Sequence, residues 1–184
     1  MNSKDIICID RKSVYENRWM RVREDRIRRT SGATGIYGVV EKPDFVVIAP
    51  IHNGVIYLVE QYRYPVEARY WELPQGSWEN NNDAEPHEVA AGELHEETGL
   101  CAQTLTYVGH LFLAYGFCTQ GYHVFLATDI SDAQVECERD QTEKDLVAKA
   151  FKIAEVEKMI VDGVIKDATT IAALSLIKQK GLLS

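Results

Sequence analysis

The chain holds no apolar run long enough to cross a membrane, and its first residues, MNSKDIICIDRK, lack the apolar core of an export signal. The expectation is a soluble, cytoplasmic protein with no membrane partner. Cysteine is sparse and scattered. Cys8, Cys101, Cys118 and Cys137 form neither a CxxC pair nor a His/Cys cluster, which speaks against a zinc site or a disulfide framework. Buried free thiols are expected instead. Repeats, low-complexity tracts and a Pro/Ser-rich linker are also missing from the 184 residues, a length suited to one well-packed fold. Positive charge is in deficit. A net charge of −8 argues against a nucleic-acid partner, because sequence-independent affinity for polyanions comes from Lys and Arg. An acidic protein can still take a phosphorylated ligand where divalent cations bridge the two.

What is present is ordinary in bulk, 46% hydrophobic and 26% charged, and organised in pattern. WMRVREDRI (19–27) alternates apolar and charged residues for part of its length, as a half-exposed strand does. SGATG (31–35) reads as a turn into IYGVVEK. Beyond Pro43-Asp44, FVVIAPI (45–51) and VIYLVEQY (55–62) flank His52-Asn53-Gly54. Asn-Gly between two apolar runs predicts a hairpin, because both residues tolerate positive φ. WELPQGSWENNND (71–83) reads as a loop, and further strands are expected over 105–113, 121–127 and 146–152. IAEVEKMIVDG and DATTIAALSLIKQKG read as amphipathic helices, each stopped by glycine. Strands before, between and beside helices give a mixed α/β or α+β fold.

The most informative stretch is GELHEETGL (92–100). Pro86 suits the first turn of a helix that stops at Gly99. Ala90, Ala91 and Leu94 would supply a small apolar side for packing on a sheet. Glu93, Glu96 and Glu97 stand at i, i+3 and i+4, so three carboxylates share a face and repel one another. Alone, such a run describes a solvated helix face. The preceding loop, LPQGSWE, adds backbone carbonyls close in sequence, and hard oxygen donors of this kind suit Mg²⁺ or Mn²⁺.

The stretch GSWENNNDAEPHEVAAGELHEETGL resembles the Nudix box: a glycine, a loop glutamate, then Arg-Glu-hydrophobic-x-Glu-Glu-x-Gly-hydrophobic. Glu93 to Leu100 match closely and Gly76 fits the leading glycine. GIYGVVEKPDF, LVEQYRYP and WELPQGSWE resemble the ADP-ribose pyrophosphatase branch, so the similarity covers most of the chain. Three departures stand out. The interval from Gly76 to Glu93 is two residues longer than the family pattern, Gly92 replaces the arginine, and the loop glutamate falls near Ala84, or at Glu85 with another gap placement. In the family the arginine and that glutamate pair. Losing both together leaves neither charge unpaired, which describes a rebuilt loop on a working site. A fourth departure is AYGFCTQGYHVF (114–125), which lacks the branch's proline and carries Gln120 where an acid is common.

The resemblance implies an α/β/α sandwich with a mixed sheet over residues 45–184, preceded by an antiparallel β extension over 1–44 that serves dimerisation. It implies a Mg²⁺-dependent pyrophosphohydrolase, with Mn²⁺ as an alternative ion, acting on ADP-ribose or a related nucleotide sugar. By the same resemblance Glu93 and Glu97 are the main metal ligands. Glu96 is a further ligand or a base acting through water, and the carbonyl of Gln75 is a fourth ligand. The general base falls in ECERDQTEKD (136–145), at Glu143 or else Glu138. Arg63 would pair with phosphate or serve as a structural ion-pair partner, and Glu72 would accept from a ribose hydroxyl or the base. Tyr37, Trp19 and Phe45 are either base-stacking or core residues. His87, His95, His110 and His123 show no metal-ligand spacing. The competing expectation is a binding module or regulator of the same fold without turnover.

Overall fold

In the computed structural model, which describes residues 5–77, 84–132 and 145–183, the chain opens as a three-stranded meander. β1 (Ile6–Glu16), β2 (Arg21–Arg29) and β3 (Thr34–Glu41) pair antiparallel in that order. The alternation in β2 sorts its side chains as expected. Asp25 and Ile27 are buried, while Glu24, Arg26 and Arg28 are exposed. Arg23 donates to Asp25 at 3.0 Å, so the buried carboxylate is paired. Residues 112–121 fold with this sheet: the Tyr37 hydroxyl donates to the Gly116 carbonyl at 2.8 Å, and Val40 bridges Cys118. Together these form one compact unit, Met1–Asp44 with Phe112–Gly121; the second is Phe45–Leu111 with Tyr122–Ser184.

The second unit is built on a mixed sheet. β4 (Phe45–His52) and β5 (Val55–Arg63) form the expected hairpin, with Asn53 and Gly54 at φ 49 and 77. A single 3₁₀ turn (Tyr64–Val66) leads to β6 (Ala68–Glu72) and the two-residue β7 (Gln75–Gly76). Helix α1 (Pro86–Thr98) follows, then β8 (Leu100–Phe112), β9 (Gly121–Asp132) and β10 (Val147–Lys152), and helices α2 (Ile153–Val161) and α3 (Ala168–Gln179). The strand order is β10-β5-β4-β9-β8, with β6 added on β5 and β7 on β4. β4 runs parallel to β9 and antiparallel to β5 and β7.

Two apolar layers sandwich this sheet, and β4 feeds both. Val46 and Ile48 meet Val89, Ala90 and Leu94 of α1, together with Phe125 and Ala127 of β9. Val47 and Ala49 point the other way, into a cluster with Val124, Leu126, Val156 of α2 and Ala173, Leu174 and Ile177 of α3. A strand covered on both faces needs a continuous apolar run, not alternation, which is why FVVIAPI has the sequence it has. Among the described residues no helix is long and apolar enough to cross a membrane.

Four local expectations change. Residues 71–83 are not loop throughout, since Trp71 and Glu72 end β6 and Gln75–Gly76 form β7. Pro74 is tolerated because it lies between those strands and lends β4 only its carbonyl, which accepts from the Ile48 amide at 2.9 Å. β8 begins at Leu100, directly after the helix stop at Gly99, so no linker separates them. Ala91 is exposed, one 100° step away from the buried line of Ala90, Leu94 and Glu97. Among the described cysteines only Cys118 is buried, while Cys8 and Cys101 are exposed free thiols; Cys137 lies outside the described residues. The packing of α1 sets a clear test. Leu94→Ala should lower unfolding free energy by about 2–5 kcal/mol in urea titration, whereas Ala91→Ser should change it by about 0.5 kcal/mol or less.

Candidate active site on helix α1

Helix α1 begins as its sequence requires. Pro86 occupies the first turn, where its missing N–H is no loss, and Glu85 precedes it in an extended conformation. The helix ends at Gly99, φ 70, whose amide bonds the His95 carbonyl at 2.8 Å. Along its inner side the apolar residues share space with acids. Glu93 and Glu97 are buried and Glu96 is half-buried. Two buried carboxylates one turn apart are unfavourable for folding alone.

Facing them is the short segment from β6 to β7. Gln75 and Gly76 pair with Val47 and Val46 of β4, which lays the segment alongside the helix. The Gln75 amide donates to Glu97 Oε2 at 3.0 Å. An extended residue turns its N–H and C=O to the same side, so the Gln75 carbonyl faces α1 as well. Gly76 is required by contact, not by backbone angle. A Cβ there would stand 2.4 Å from Glu93 Oε2 and 2.6 Å from Oε1, so only glycine lets the carboxylate lie against the strand. The Glu93 and Glu97 carboxylates, which meet the β7 segment, and the Gln75 carbonyl are oxygen donors, which suits Mg²⁺ or Mn²⁺.

In the β5–β6 register Arg63 stands opposite Ala68 and Glu72 opposite Val59, and the long Arg63 side chain spans the interval to Glu72. Arg63 Nη2 donates to Glu72 Oε1 at 2.5 Å, and Nε donates to Oε2 at 3.2 Å. Gln61 Nε2 adds a bond to Oε1 at 2.7 Å. The Glu72 side chain is 3% exposed and the Arg63 side chain 41%, so the acid is enclosed while the guanidinium still meets solvent. Burial raises the Glu72 carboxyl above its ordinary value, opposed by Arg63 and Gln61 and reinforced by the Asp167 charge.

Glu143 and Glu138 lie outside the described residues. Gly92 is half-buried in α1, and Glu85 is exposed and makes no side-chain cap bond. Phe45 packs on Tyr122 with centroids 5.3 Å apart, whereas Trp19 is exposed under the Arg18 guanidinium. Histidine spacing hid a tertiary neighbour: the rings of His110 on β8 and His123 on β9 lie 4.9 Å apart. Sequence reasoning also passed over Asp167 and Thr170, which hold the start of α3 and reach the β6–β7 segment. Asp followed by Ala-Thr-Thr is an N-cap signal, but nothing in it points to Leu73.

The direction of the Glu72 shift sets a pH test. Its folded-state pKa lies above 4.5, so the folded protein retains a proton that the unfolded chain has lost. Stability from this group therefore falls as pH rises from about 4.5 through the raised value and is level beyond it. Glu72→Gln cannot titrate, so its unfolding free energy should improve relative to the native chain across that window. Urea midpoints at several pH values check this, and parallel curves would contradict it.

Comparison with known proteins identifies the family. The family model described as the NUDIX domain matches residues 42–173, and that described as the nucleoside diphosphate sugar hydrolase N-terminal domain matches residues 6–40. An ADP-ribose pyrophosphatase of Mycobacterium tuberculosis is 31% identical over 175 residues, covering 95% of this chain and 84% of that protein. An ADP-ribose pyrophosphatase of Bacillus subtilis is 28% identical over 184 residues, covering 100% of this chain and 98% of that protein. A crystal structure described as an ADP compounds hydrolase superposes with TM-score 0.84 at 20% identity, over 99% of this chain and 98% of that one; at that identity the likeness concerns the fold. The chain belongs to the Nudix family, near its ADP-ribose pyrophosphatase branch, and is a hydrolase acting on acid anhydrides.

Proposed function

We propose that this hydrolase depends on a divalent cation, Mg²⁺ or Mn²⁺, and cleaves a nucleoside diphosphate joined to a second group. ADP-ribose or a related nucleotide sugar is the substrate, and a nucleoside monophosphate and a phosphorylated sugar are the products. The observation that carries the reading is the pairing of Gly76 with Glu93 and of the Gln75 amide with Glu97. It sets buried acids and a backbone carbonyl against one another where a purely structural helix would bury leucine.

In this reading Glu93, Glu97 and the Gln75 carbonyl hold the cation, and Glu96, half-buried beside them, is a further ligand or a base acting through water. When bound, the cation neutralises charge on the pyrophosphate and lowers the pKa of water. The protein's own part is orientation. Gly76 admits the Glu93 carboxylate, and the Gln75 amide fixes Glu97 by a charge-assisted bond. Glu72 holds the Arg63 guanidinium in one plane with its outer side accessible, ready for a phosphate oxygen. Glu143, or else Glu138, remains the assignment for the general base.

The intact glutamates favour turnover, while Gly92 in place of the box arginine and the longer loop keep a second reading in play, a nucleotide-binding module without turnover. A panel of nucleoside diphosphate compounds at controlled Mg²⁺ and Mn²⁺, with products identified, separates the two. Metal-dependent release of a nucleoside monophosphate is expected; binding without turnover would sink the enzymatic reading. Glu97→Gln should lower kcat by about 100-fold or more with the fold intact by circular dichroism. Gly76→Ala should also lower it, because Glu93 must swing away from the new methyl.

We also propose a homodimer in which β1 supplies contact surface. Ile7, Ile9, Val14 and Tyr15 of β1 and Ile36 of β3 are all exposed on this small sheet, a concentration of apolar side chains suited to a second copy. Light scattering coupled to gel filtration should give twice the chain mass of 20.8 kDa. A monomer at micromolar concentration would contradict it.

A further inference from the structure

Leu73 lies where the chain leaves β6 for β7 and is fully buried. Its amide donates to Thr170 Oγ1 at 2.8 Å, a contact between residues 97 apart in sequence. Thr170 is fully buried too, and its hydroxyl donates to Asp167 Oδ2 at 2.7 Å. Asp167 is the N-cap of α3 and accepts from the amides of Thr169 and Thr170 at 3.3 and 2.8 Å. The direction of every bond is therefore fixed. The carboxylate accepts only, so the hydroxyl must give it a proton, and its free lone pair faces the Leu73 amide.

The residues after Leu73 are tied one by one. The Pro74 carbonyl accepts from Ile48, the Gln75 amide donates to Glu97, and Gly76 stands in register with Val46. Leu73 is the first of these ties, and its amide's partner comes from α3, on the far face of the sheet from α1. We propose that Thr170 is a positioning residue for the cation site, its Asp167-oriented hydroxyl setting the register in which Gln75 and Gly76 meet Glu97 and Glu93. The proposal rests on the reading of those residues as the cation site. Thr170 touches neither substrate nor cation; it acts through the backbone of residues 73–76.

The test compares Thr170→Val, which keeps the shape and removes the hydroxyl, with Thr170→Ser, which keeps the hydroxyl. Amide hydrogen exchange is followed in the metal-free protein, Mn²⁺ affinity by the paramagnetic signal of free ion, and kcat and KM separately. In Thr170→Val the Gln75 amide should exchange about tenfold faster or more, and the Mn²⁺ Kd should rise about tenfold. The kcat should fall about 10- to 100-fold with KM within about threefold, and Thr170→Ser should stay near native in all four. A folded Thr170→Val with native Gln75 exchange and Mn²⁺ affinity would overturn the proposal, as would equal losses in the serine variant. If Thr170→Val does not fold, Asp167→Asn carries the same comparison, since asparagine keeps the helix cap while weakening the acceptor that orients the hydroxyl. Should the native protein neither bind Mn²⁺ nor turn over any nucleoside diphosphate, the proposed function falls. Gln75 exchange in the valine variant then decides the positioning role by itself.

Discussion

The contact of Gly76 with the Glu93 carboxylate is the constraint around which the second unit is arranged. For it to form, a strand residue without a side chain must lie against an acid on a helix, and both must be held there. The sheet supplies one hold, through the pairing of Gln75 and Gly76 with Val47 and Val46. The helix supplies another, through Glu97 and the Gln75 amide. Helix α3 supplies a third from the opposite layer, through Thr170 and the Leu73 amide. A segment of four residues is thus fastened to three elements, and that rigidity suits a site whose donors must keep their spacing.

That arrangement asks the fold to tolerate buried acids. Glu72, Glu93 and Glu97 are each at or below 5% exposure, where unpaired charge is expensive. For Glu72 the compensation is visible in Arg63 and Gln61. Glu97 accepts from the Gln75 amide, and in the function proposed a cation adds to the compensation of Glu93 and Glu97. Among the described residues of the second unit, the buried carboxylates Glu72, Glu93 and Glu97 lie on or against the β6–β7 segment, and functional sites are where such departures are expected.

Much of this was legible in the residues. The hairpin at Asn53-Gly54 was readable because positive φ is a local property. The stop at Gly99 and the start at Pro86 were readable because capping depends on a few neighbouring backbone groups. The glutamate spacing was readable because helical period is fixed by geometry. Other features were not. β7 is two residues long and exists only because β4 pairs with it, so WELPQG looks like loop in isolation. Ala91 looks equivalent to Ala90 until the sheet selects which side of the helix is covered. Arg63 was open to either a phosphate or an ion-pair role in the sequence, and its pairing with Glu72 became visible only once β5 and β6 folded against each other.

The sequence alone therefore determined the chemical vocabulary: three acids on one helical face, a glycine before them, an acidic protein with carboxylates enough to hold a cation and little charge to hold a polyanion. These follow from composition and short-range periodicity, which need no partner element. Tertiary structure alone decided which acids are buried, that Gly76 is required by the approach of Glu93, that Arg63 and Glu72 pair, and that a threonine in α3 bonds the Leu73 amide. These depend on contacts between residues distant in the chain, and such contacts are fixed by packing and register that no local pattern encodes.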